Sequence, residues 1–425
     1  MYSAKALPVQ HRTEKTNLNI RRSLLYHYLR MYLKILRSTL KTFGVGLWFF
    51  YYFFKIPAIL IYIHLSMFLD NIFFPKYRRV KIEKPVFIVG HPRSATTFLH
   101  KILTQTEEYA TFKHWELNNP SLTVRKLLRH STKLQMLFSL AFDLRFSHYR
   151  LIRAIRNARK KKADEVRGKE IGRAVETHKG ELEAIAQEEE ILFQLILDSQ
   201  FLSIVTPLGF VKEGYPELCF NDDQPHQEKS VRFLENCFKR QIYYTGNKQV
   251  VAKMNFSLFR IKTLLKRFPD AKFIYMVRSP VETIQSHFSL HRELLDRFFG
   301  LDNIGEERLK QYFEHRYRNN LLFYRHYENL MNNNEIPSDK IMEITYPSIR
   351  NDLPGVLQQF RDFTGIRFSP ELEQKLKDQA GNQSSYKRPH ENLPLETFNL
   401  TEEKIRSDFD FVYKRHELDL ASVKK

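Results

Sequence analysis

A short apolar run that ends in glycine is followed directly by a turn and then by a helical pattern. The run is Pro85–Gly90 (PVFIVG), and its continuous apolar character is typical of a strand buried on both faces. Apolar residues then recur at helical spacing from Thr97 to Gln105. The sequence therefore predicts a unit in the order strand, loop, helix.

Three later apolar segments repeat the strand pattern. They are Gln249–Lys253 (QVVAK), Lys272–Arg278 (KFIYMVR) and Lys340–Tyr346 (KIMEITY). Helical spacing runs from Leu258 to Phe268 and again from Pro280 to Leu290. Strands that alternate with helices predict the α/β class, with a central parallel sheet and helices on both faces.

The chain has 425 residues, which is enough for one large α/β domain with additions. We expect residues 1–75 to form an N-terminal membrane-associated segment and residues 85–415 to form the globular domain. Residues from about 120 to 245 are more polar and mostly helical, and we interpret them as an insertion that shapes a substrate pocket. The charge run at 156–162 (RNARKKK) is typical of a solvated face.

The first part of the N-terminal segment has the pattern of a helix lying in a membrane interface. From residue 18 to 41, apolar residues recur every three, four or seven positions and alternate with Arg and Lys. The apolar positions are Leu18, Leu25, Leu29, Tyr32, Leu36 and Leu40, and the basic positions are Arg21, Arg22, Arg30, Lys34, Arg37 and Lys41. An amphipathic helix packed on its own domain would give the same pattern.

The second part, Val45–Leu69, is apolar and long enough to cross a bilayer core of about 30 Å. It contains Lys55, Pro57 and His64, each unfavourable at the middle of a bilayer. Three arrangements stay open: a spanning helix, a helix inserted shallowly in the membrane plane, and a buried helix of a soluble protein. Both flanks are basic, so charge bias does not fix the topology; a shallow anchor with both flanks on the cytosolic face explains this symmetry most simply.

The turn after the first predicted strand has the composition of an anion-binding loop. It reads GHPRSATT from Gly90 to Thr97, and its backbone N–H groups and the following helix dipole would converge on one negatively charged group. The loop of ATPases and GTPases, G-x-x-x-x-G-K-[ST], requires Lys where this chain has Thr96. The missing Lys argues against a P-loop nucleotide kinase or hydrolase, which stays as an alternative. A cation is present earlier in the loop instead, at Arg93.

A second polar pair follows the third predicted strand. Arg278 closes that strand, at the edge where ligands of open α/β sheets bind, and Ser286 lies eight residues later in the next helix. An Arg and a Ser so placed can both bind one phosphate, because the guanidinium supplies paired N–H donors.

Together these segments resemble the sulfotransferases. Pro92–His100 (PRSATTFLH) is similar to the 5′-phosphosulfate loop of that family, usually written P-R-S-G-T-T, and in particular to its broad group of bacterial and Golgi-type enzymes. The segment from Arg278 to Ser286 is similar to the family's 3′-phosphate-binding segment. Trp115-Glu116 and Lys253, which precedes an F-P-D-A stretch at 268–271, match two further positions of the family pattern.

The resemblance covers roughly residues 85–120 and 225–415, and it implies the P-loop NTPase-like fold of sulfotransferases for the whole of 85–415. It also implies sulfuryl transfer from the co-substrate 3′-phosphoadenosine 5′-phosphosulfate to a hydroxyl group. Two departures from the family pattern are Ala95, where Gly is usual, and Met254-Asn255 after Lys253, where Ser-Pro is usual. A methyl group at position 95 is tolerable if the residue takes a helical φ, but it crowds the donor phosphate.

The resemblance assigns a role to each cation and loop residue. Arg93 is expected to stabilise the leaving oxygen and a sulfuryl oxygen, with Lys253 as a second cation on the bridging oxygen. Arg278 and Ser286 would bind the 3′-phosphate. The 5′-phosphate would be held by Ser94, Ala95, Thr96 and Thr97.

Two residues compete for the role of the base that removes the acceptor proton. Glu116 is the expected base and needs a raised pKa, whereas an ion pair with a nearby Lys or Arg would make it structural. His114 is the rival, because an imidazole titrates near neutral pH without help. We expect no metal ion, since no His or Cys cluster has ligand spacing. Residues 387–390 (KRPH) are either further donor contacts or a basic surface loop.

The charge balance favours anionic partners, because 68 Lys and Arg residues against 48 Asp and Glu give a net charge of +20. We expect a hydroxylated acceptor carried by a membrane, such as a lipid, a sterol or a lipid-linked glycan, while a soluble polysaccharide or a protein tyrosine stays open. We expect no nucleic-acid partner, since no reading module is recognisable. A non-enzymatic basic membrane-associated protein is a further alternative, but it leaves the loop and Arg278 unexplained.

The compartment follows from the membrane segment. We expect a membrane-associated protein whose catalytic domain is cytosolic, with the Golgi lumen as the alternative. Asn255, Asn382 and Asn399 begin triplets of the N-glycosylation acceptor pattern, but modification of Asn255 would obstruct the adjacent lysine. The two cysteines, Cys219 and Cys237, exclude a disulfide framework and a four-cysteine zinc site.

Overall fold

The computed structural model describes residues 23–142, 184–186, 188–211, 218–246, 248–383 and 392–418. Its centre is a parallel sheet of four strands in the order β2-β1-β3-β4. The strands are β1 (Val86–Gly90), β2 (Val251–Lys253), β3 (Lys272–Val277) and β4 (Ile341–Thr345). Each lies within a segment predicted as a strand, so the predicted α/β class with a parallel sheet is confirmed.

The central strands are buried on both faces, which explains their continuous apolar sequences. Because side chains alternate along a strand, Phe87 and Phe273 pack into one core while their neighbours Ile88 and Ile274 pack into another. All four of these side chains are fully buried. Each face of the sheet therefore requires its own layer of helices.

The helices lie on both sides of the sheet, as predicted. Those before β2 are α1 (Leu24–Phe43), α2 (Leu47–Phe73), α3 (Thr96–Thr104), α4 (His114–Asn118), α5 (Leu122–Leu128), α6 (Thr132–Phe142), α7 (Ile191–Gln194), α8 (Leu202–Val205) and α9 (Gln227–Thr245). Those after β2 are α10 (Ile261–Arg267), α11 (Pro280–Phe299), α12 (Leu301–Ile304), α13 (Glu306–Asn332), α14 (Tyr346–Asn351), α15 (Leu353–Thr364), α16 (Pro370–Gln383), α17 (Glu402–Asp408) and α18 (Asp410–His416).

Short 3₁₀ turns connect several of these helices. They are Pro75–Arg79, Pro207–Phe210, Asn221–Asp223, Asn255–Arg260, Ser338–Lys340 and Leu395–Phe398. The predicted helix from Leu258 to Phe268 is therefore divided, with its first part inside a 3₁₀ turn and its second part forming α10. The described part of the insertion, α5 to α9, is mostly helical, whereas the charge run at 156–162 lies outside the described residues.

One face of α2 is buried against the rest of the chain. Its buried apolar residues recur every three or four positions and are Tyr52, Ile56, Ile59, Ile63 and Met67. The Tyr52 hydroxyl donates a hydrogen bond to the backbone carbonyl of Val205, at the end of α8, over 2.8 Å. α2 therefore belongs to the same packed core as the sheet helices, although the boundary predicted at residue 75 stays a prediction.

The other face of α2 is apolar and exposed. Phe54, Ile61, Leu65 and Phe68 are between 56% and 66% exposed. Among the described residues, α2 is the one helix whose length and apolar composition suffice to cross a membrane, and 33% of its most apolar window is buried. An apolar face of this kind on a soluble surface normally marks a contact site.

The C-terminal end of α2 is held by a buried ion pair. Asp70 has no exposed surface, and its carboxylate accepts hydrogen bonds from Arg240 Nε (2.6 Å) and from Ser121 Oγ (2.8 Å). The backbone N–H and the hydroxyl of Thr123 also donate to it, each over 2.8 Å. These contacts fasten α2 to α5 and α9.

The helix predicted at 18–41 corresponds to α1, which begins at Leu24; residues 18–22 lie outside the described residues, and the location of the helix in a membrane interface stays a prediction. Its predicted apolar positions divide between two surroundings: Leu36 is buried, whereas Leu25 and Leu29 are 75% and 56% exposed. The Tyr32 hydroxyl donates to the carbonyl of Phe53 over 2.9 Å, so α1 packs on α2. α1 and α2 therefore form one layer, and both helices expose apolar side chains, such as Leu25 on α1 and Phe54 on α2.

Candidate functional site

The loop between β1 and α3 depends on three backbone positions with positive φ. Gly90 has a φ of 148°, and a Cβ there would lie 2.5 Å from the carbonyl oxygen of Met276 on β3, so only glycine fits. Arg93 and Ala95, with φ of 76° and 70°, lie in the left-handed region. The Ser94 N–H donates to the His91 carbonyl over 3.1 Å and closes the turn.

The N-terminus of α3 faces this loop. α3 begins at Thr96, directly after Ala95, so the N–H groups of its first turn and the helix dipole point to the space above the loop. This geometry suits an anion. Ala95 does not have the helical φ that the sequence analysis required for its methyl group to be tolerable. It takes the left-handed conformation instead, which costs about 1–2 kcal/mol for a residue with a Cβ.

The structure brings the loop and α11 together. Arg93 Nε donates a hydrogen bond to Ser286 Oγ over 2.9 Å, although the two residues are 193 positions apart in the chain. Ser286 is buried in the first half of α11, which follows β3. The two segments that were singled out separately in the sequence therefore form one site at the carboxyl edge of the sheet.

Lys253 joins a third segment to this site. It is the last residue of β2, and its Nζ donates to Thr97 Oγ1 over 2.8 Å at the start of α3. The same ammonium lies 2.9 Å from Glu188 Oε2, and the Lys253 side chain is only 7% exposed. The buried Lys253 therefore places a positive charge beside the loop and the N-terminus of α3.

Arg278 lies at the end of β3, as predicted, and is held by two neighbours. Its Nε donates to Glu282 Oε2 over 2.7 Å, and its guanidinium lies 4.1 Å from the ring centre of Tyr346. The Arg278 side chain is 13% exposed, while that of Glu282 is 50% exposed. An exposed carboxylate is a weak partner, so the guanidinium can exchange it for another anion.

The sequence reasoning missed an acidic segment, Glu188–Glu190, that borders Lys253. Glu188 accepts a hydrogen bond from Asn255 Nδ2 over 2.7 Å as well as pairing with Lys253, and burial raises the pKa of its carboxyl. Its side chain keeps 14% exposure. The signal that was available in the sequence is three consecutive glutamates directly before an apolar run, which indicates carboxylates at the edge of a core.

The two following carboxyls are fully buried. Burial raises the pKa of Glu189 to about 8 and that of Glu190 to about 7. Glu189 accepts from the Lys253 backbone N–H over 2.8 Å, and Glu190 accepts from Ser257 Oγ over 2.9 Å. His100 lies 3.5 Å from Glu189, and burial lowers the pKa of its imidazole to about 3, so this contact joins two uncharged groups at neutral pH.

Glu116 has structural contacts. Its Oε2 accepts from the Lys113 backbone N–H over 2.8 Å, which caps α4, and from Gln241 Nε2 over 3.2 Å. Its backbone carbonyl accepts from the buried Arg125. These contacts do not join Glu116 to Arg93 or Lys253.

The cavity next to Glu116 shares no lining residue with the loop Gly90–Thr97. It has a volume of about 350 Å³ and is lined by Glu116, Thr245 and Lys248 among others. Thr245 ends α9 and Lys248 precedes β2, so this cavity adjoins the amino end of that strand. His114, the rival base, donates its backbone N–H to the carbonyl of Ala184 over 3.1 Å. The roles of Glu116 and His114 as base stay predictions.

A second buried polar cluster joins α1 to the domain. The rings of His27 and His226 are stacked 3.8 Å apart, and His226 Nε2 lies 3.5 Å from Asp198 Oδ1. One nitrogen or oxygen atom from each of these three residues lies within 4.8 Å of the others, a ligand grouping that sequence spacing did not indicate. Arg260 Nη1 already lies 3.0 Å from Asp198 Oδ2, and this pairing lowers the pKa of Asp198 despite its burial. The absence of a metal ion stays a prediction.

The basic residues at 387–390 lie outside the described residues, so both roles expected for them, donor contact and surface loop, stay predictions. Among the described ones, the site at the carboxyl edge consists of Arg93, Thr97, Lys253 and Ser286, with Glu188 beside Lys253 and Arg278 at the end of the adjacent strand. This arrangement can bind a ligand with several negative charges and can stabilise charge on a leaving oxygen.

The chain is similar to curated and solved proteins over most of its length. It is 24% identical over 354 residues, 80% of this chain and 78% of the other, to the omega-hydroxy-beta-dihydromenaquinone-9 sulfotransferase Stf3 of Mycobacterium bovis and to that of Mycobacterium tuberculosis. The crystal structure of sulfotransferase STF9 from Mycobacterium avium superposes with a TM-score of 0.62 at 15% identity, covering 96% of this chain and 98% of that one. Sulfotransferase STF1 from Mycobacterium tuberculosis H37Rv gives 0.59 at 14% identity, covering 93% and 98%.

These likenesses confirm the fold expected from the sequence. A model of the sulfotransferase family matches residues 85–370, which begin just before β1 and include the loop, β2, β3 and α11. The matched range also includes Glu188, which lies in the part of the chain interpreted as an insertion. The chain therefore belongs to the sulfotransferase family.

Proposed function

We propose that this protein transfers a sulfuryl group from 3′-phosphoadenosine 5′-phosphosulfate to a hydroxyl group of a lipid-like, membrane-borne acceptor. The observation that carries this proposal is the contact between Arg93 and Ser286, because it joins the loop and α11 into one cationic site at the carboxyl edge of the sheet. A P-loop kinase or hydrolase, and a non-enzymatic membrane protein, agree less well with membership of the family.

The residues at this edge fit the charges of the donor. The N–H groups at the start of α3 suit the 5′-phosphate, while Arg278 and Ser286 suit the 3′-phosphate once Glu282 releases the guanidinium. When bound, the donor supplies the sulfuryl group and leaves as the 3′,5′-bisphosphate. The bond between sulfur and the bridging phosphate oxygen breaks as the bond between sulfur and the acceptor oxygen forms.

Arg93 and Lys253 would stabilise the negative charge that develops in this reaction. Negative charge develops on the bridging oxygen, and Arg93 and Lys253 place two positive charges beside the loop before the reaction begins. Lys253 is held by Thr97 and Glu188, so its position costs little reorganisation. Removal of one such donor typically lowers turnover about 10²–10³-fold.

The proton of the acceptor hydroxyl needs a base, and we propose Glu188 for this role. It is partly exposed beside Lys253, and the burial that raises its pKa also strengthens it as a proton acceptor. Glu116 and His114 remain the candidates taken from the sequence. The contacts of Glu116 with Lys113 and Gln241 support a structural role for it.

Three variants separate these candidates. Glu188→Gln should lower turnover about 10²–10⁴-fold and remove the decline of kcat/KM at acidic pH, because a base must be ionised to act. Glu116→Gln should lower the melting temperature more than the turnover, and His114→Ala should keep turnover. Full activity of Glu188→Gln together with loss of activity in Glu116→Gln would assign the base to Glu116 instead.

We propose that α2 lies in the plane of the membrane. Its buried face extends from Tyr52 to Asp70, a length of about 27 Å at 1.5 Å per residue. Because this nearly equals the bilayer core of about 30 Å, a spanning α2 would draw the domain packed along it into the hydrocarbon. In-plane insertion instead places only the exposed residues, such as Phe54, Leu65 and Phe68, in the lipid.

This placement favours a lipid-like acceptor, since α2 packs into the same core as the sheet that carries the site. A relative at 24% identity is named for a menaquinone derivative, omega-hydroxy-beta-dihydromenaquinone-9, which supports the same class of acceptor. Incubation with ³⁵S-labelled donor and either a total lipid extract or a glycan fraction tests it. Label in the glycan fraction alone would contradict the proposal.

We propose a cytosolic orientation for the catalytic domain. Asn255, which begins one of the three glycosylation triplets, is 4% exposed and bonds Glu188, so a glycan on it would not fit the folded structure. A protease added to sealed vesicles or organelles reports the orientation. Protection of the domain would favour the lumenal alternative.

The donor is tested by thermal shift of the full chain. Adenosine 3′,5′-bisphosphate should raise the melting temperature, and ATP or RNA should not, because only the bisphosphate places phosphates at both the loop and Arg278. Arg93→Ala and Arg278→Ala should each reduce the shift while the fold persists. An equal shift with ATP would support the kinase alternative.

A further inference from the structure

A groove between α2 and α9 lies beside the exposed apolar face of α2. It has a volume of about 550 Å³, within the range of ordinary ligand sites, and it includes Leu24 at the start of α1. The site described above does not use any of its lining residues. We refer to it as the α2–α9 groove.

The floor of the α2–α9 groove is apolar. It is formed by Leu24, Met67, Phe68 and Phe233. Phe68 is 58% exposed and also belongs to the outer face of α2, where Leu65 and Ile72 are equally exposed. The groove is therefore continuous with the face that we place in the membrane.

The rim of the groove is cationic. Arg78, Lys229 and Arg232 line it and are exposed. Within the part of the chain that the structure describes, none of the three forms an ion pair with a carboxylate, whereas the deeper Arg240 is paired with Asp70. Three positive groups around an apolar floor complement a molecule that has an anionic head and a hydrocarbon tail.

We propose that the α2–α9 groove binds one anionic phospholipid of the membrane on which the protein lies. Its phosphate contacts Arg78, Lys229 and Arg232, and an acyl chain lies along Met67 and Phe68. This inference rests on the in-plane placement of α2 and is independent of the identity of the acceptor. It makes the protein selective for anionic membranes and fixes its orientation on them.

The test measures lipid binding by the full chain in a neutral detergent. Native mass spectrometry follows titration with phosphatidylglycerol and, separately, with phosphatidylcholine. The wild type should bind one phosphatidylglycerol and little phosphatidylcholine. The double variant Lys229→Gln, Arg232→Gln should bind phosphatidylglycerol about 30-fold more weakly, from about 1 kcal/mol for each cation.

Two further variants locate the site. Asn236→Trp fills the groove from α9 without changing charge and should abolish the bound lipid, since Asn236 lines the cavity. The control Lys310→Gln, Lys377→Gln removes two exposed cations outside the groove and should bind lipid as the wild type does. The melting temperature of each variant confirms folding, and Arg232→Gln alone serves if the double variant is unstable.

Each result decides the proposal. Equal binding of the two lipids, no bound lipid, or unchanged binding in Asn236→Trp would overturn it. Partition of the wild type into vesicles of phosphatidylcholine, with and without phosphatidylglycerol, separately tests the membrane association on which the in-plane placement depends: if the protein binds neither kind of vesicle, that part of the proposed function fails. Vesicle binding without retained phosphatidylglycerol would overturn the groove alone.

Discussion

The replacement Asp70→Asn tests whether α2 is fastened to the catalytic domain as the structure indicates. The carboxylate of Asp70 is fully buried and pairs with Arg240 over 2.6 Å, and Ser121 and Thr123 also donate to it. The amide keeps the shape but leaves the guanidinium buried without a counter-charge. Breaking a buried pair in this way costs about 3–5 kcal/mol.

The corresponding change in melting temperature can be worked out from the size of the chain. An unfolding entropy of about 2.1 cal/mol/K per residue gives roughly 0.9 kcal/mol/K for the whole chain, so the melting temperature should fall by about 3–6 °C. The assay is differential scanning calorimetry of the full chain in detergent. Protease cleavage between α2 and β1 should also become faster, because the anchor at the end of α2 is weakened.

A matched control is Asp410→Asn, which breaks the exposed pair with Lys414. Exposed pairs contribute about 0–1 kcal/mol, so this variant should melt within about 1 °C of the wild type. The double variant Asp70→Asn, Arg240→Met should be more stable than Asp70→Asn alone, because the unpaired charge is gone. If Asp70→Asn melts like the control, the anchor argument is refuted.

Three further predictions concern the site. Ala95→Gly should change the free energy of unfolding by no more than about 1 kcal/mol, since the relief of left-handed strain at position 95 offsets the greater conformational freedom of glycine in the unfolded chain. Calorimetric titration of the same variant should show tighter binding of adenosine 3′,5′-bisphosphate. Glu189→Gln should become more stable relative to the wild type as the pH rises from about 5 to 8. The folded pKa of Glu189, about 8, exceeds its ordinary value of 4.5, so its contribution to wild-type stability is complete below pH 4.5 and is lost as the pH rises towards 8, by an amount on the order of 3–5 kcal/mol. Melting curves of both proteins at pH 5 and pH 8 measure this change, and a stability difference independent of pH would contradict the prediction. Arg278→Ala should weaken binding of the bisphosphate about 10–150-fold in calorimetric titration. Arg297→Ala, in the last turn of α11, should leave it unchanged.

The strands and the loop could be predicted because their signals are local. A continuous apolar run such as Pro85–Gly90 identifies a buried strand, and the residues that follow it in the chain also follow it in space. The approach of Arg93 to Ser286 was predicted only as a shared edge, since both segments come after parallel strands. Their direct hydrogen bond depends on side-chain packing that no spacing expresses.

The surroundings of the carboxylates could not be predicted in this way. Glu188 meets Lys253 across 65 positions of the chain, through a part of it that was interpreted as an insertion. Glu116 matched a family pattern, but its partner Gln241 is 125 positions away. Likewise, α2 is apolar on every side, so its periodicity does not reveal that Tyr52 and Ile63 face the core.

The packing of α1 and α2 has a practical consequence for anyone who wishes to study this protein in solution. Deletion of residues 1–75, the usual way to remove a membrane leader, would remove α1 and α2, whose buried side chains are part of the core. It would also leave Arg240 without its counter-charge, Asp70. A shortened chain would expose new apolar surface and aggregate. Polar replacements on the exposed face of α2, for example at Phe54 and Leu65, would increase solubility while keeping the buried faces of α1 and α2 in the core.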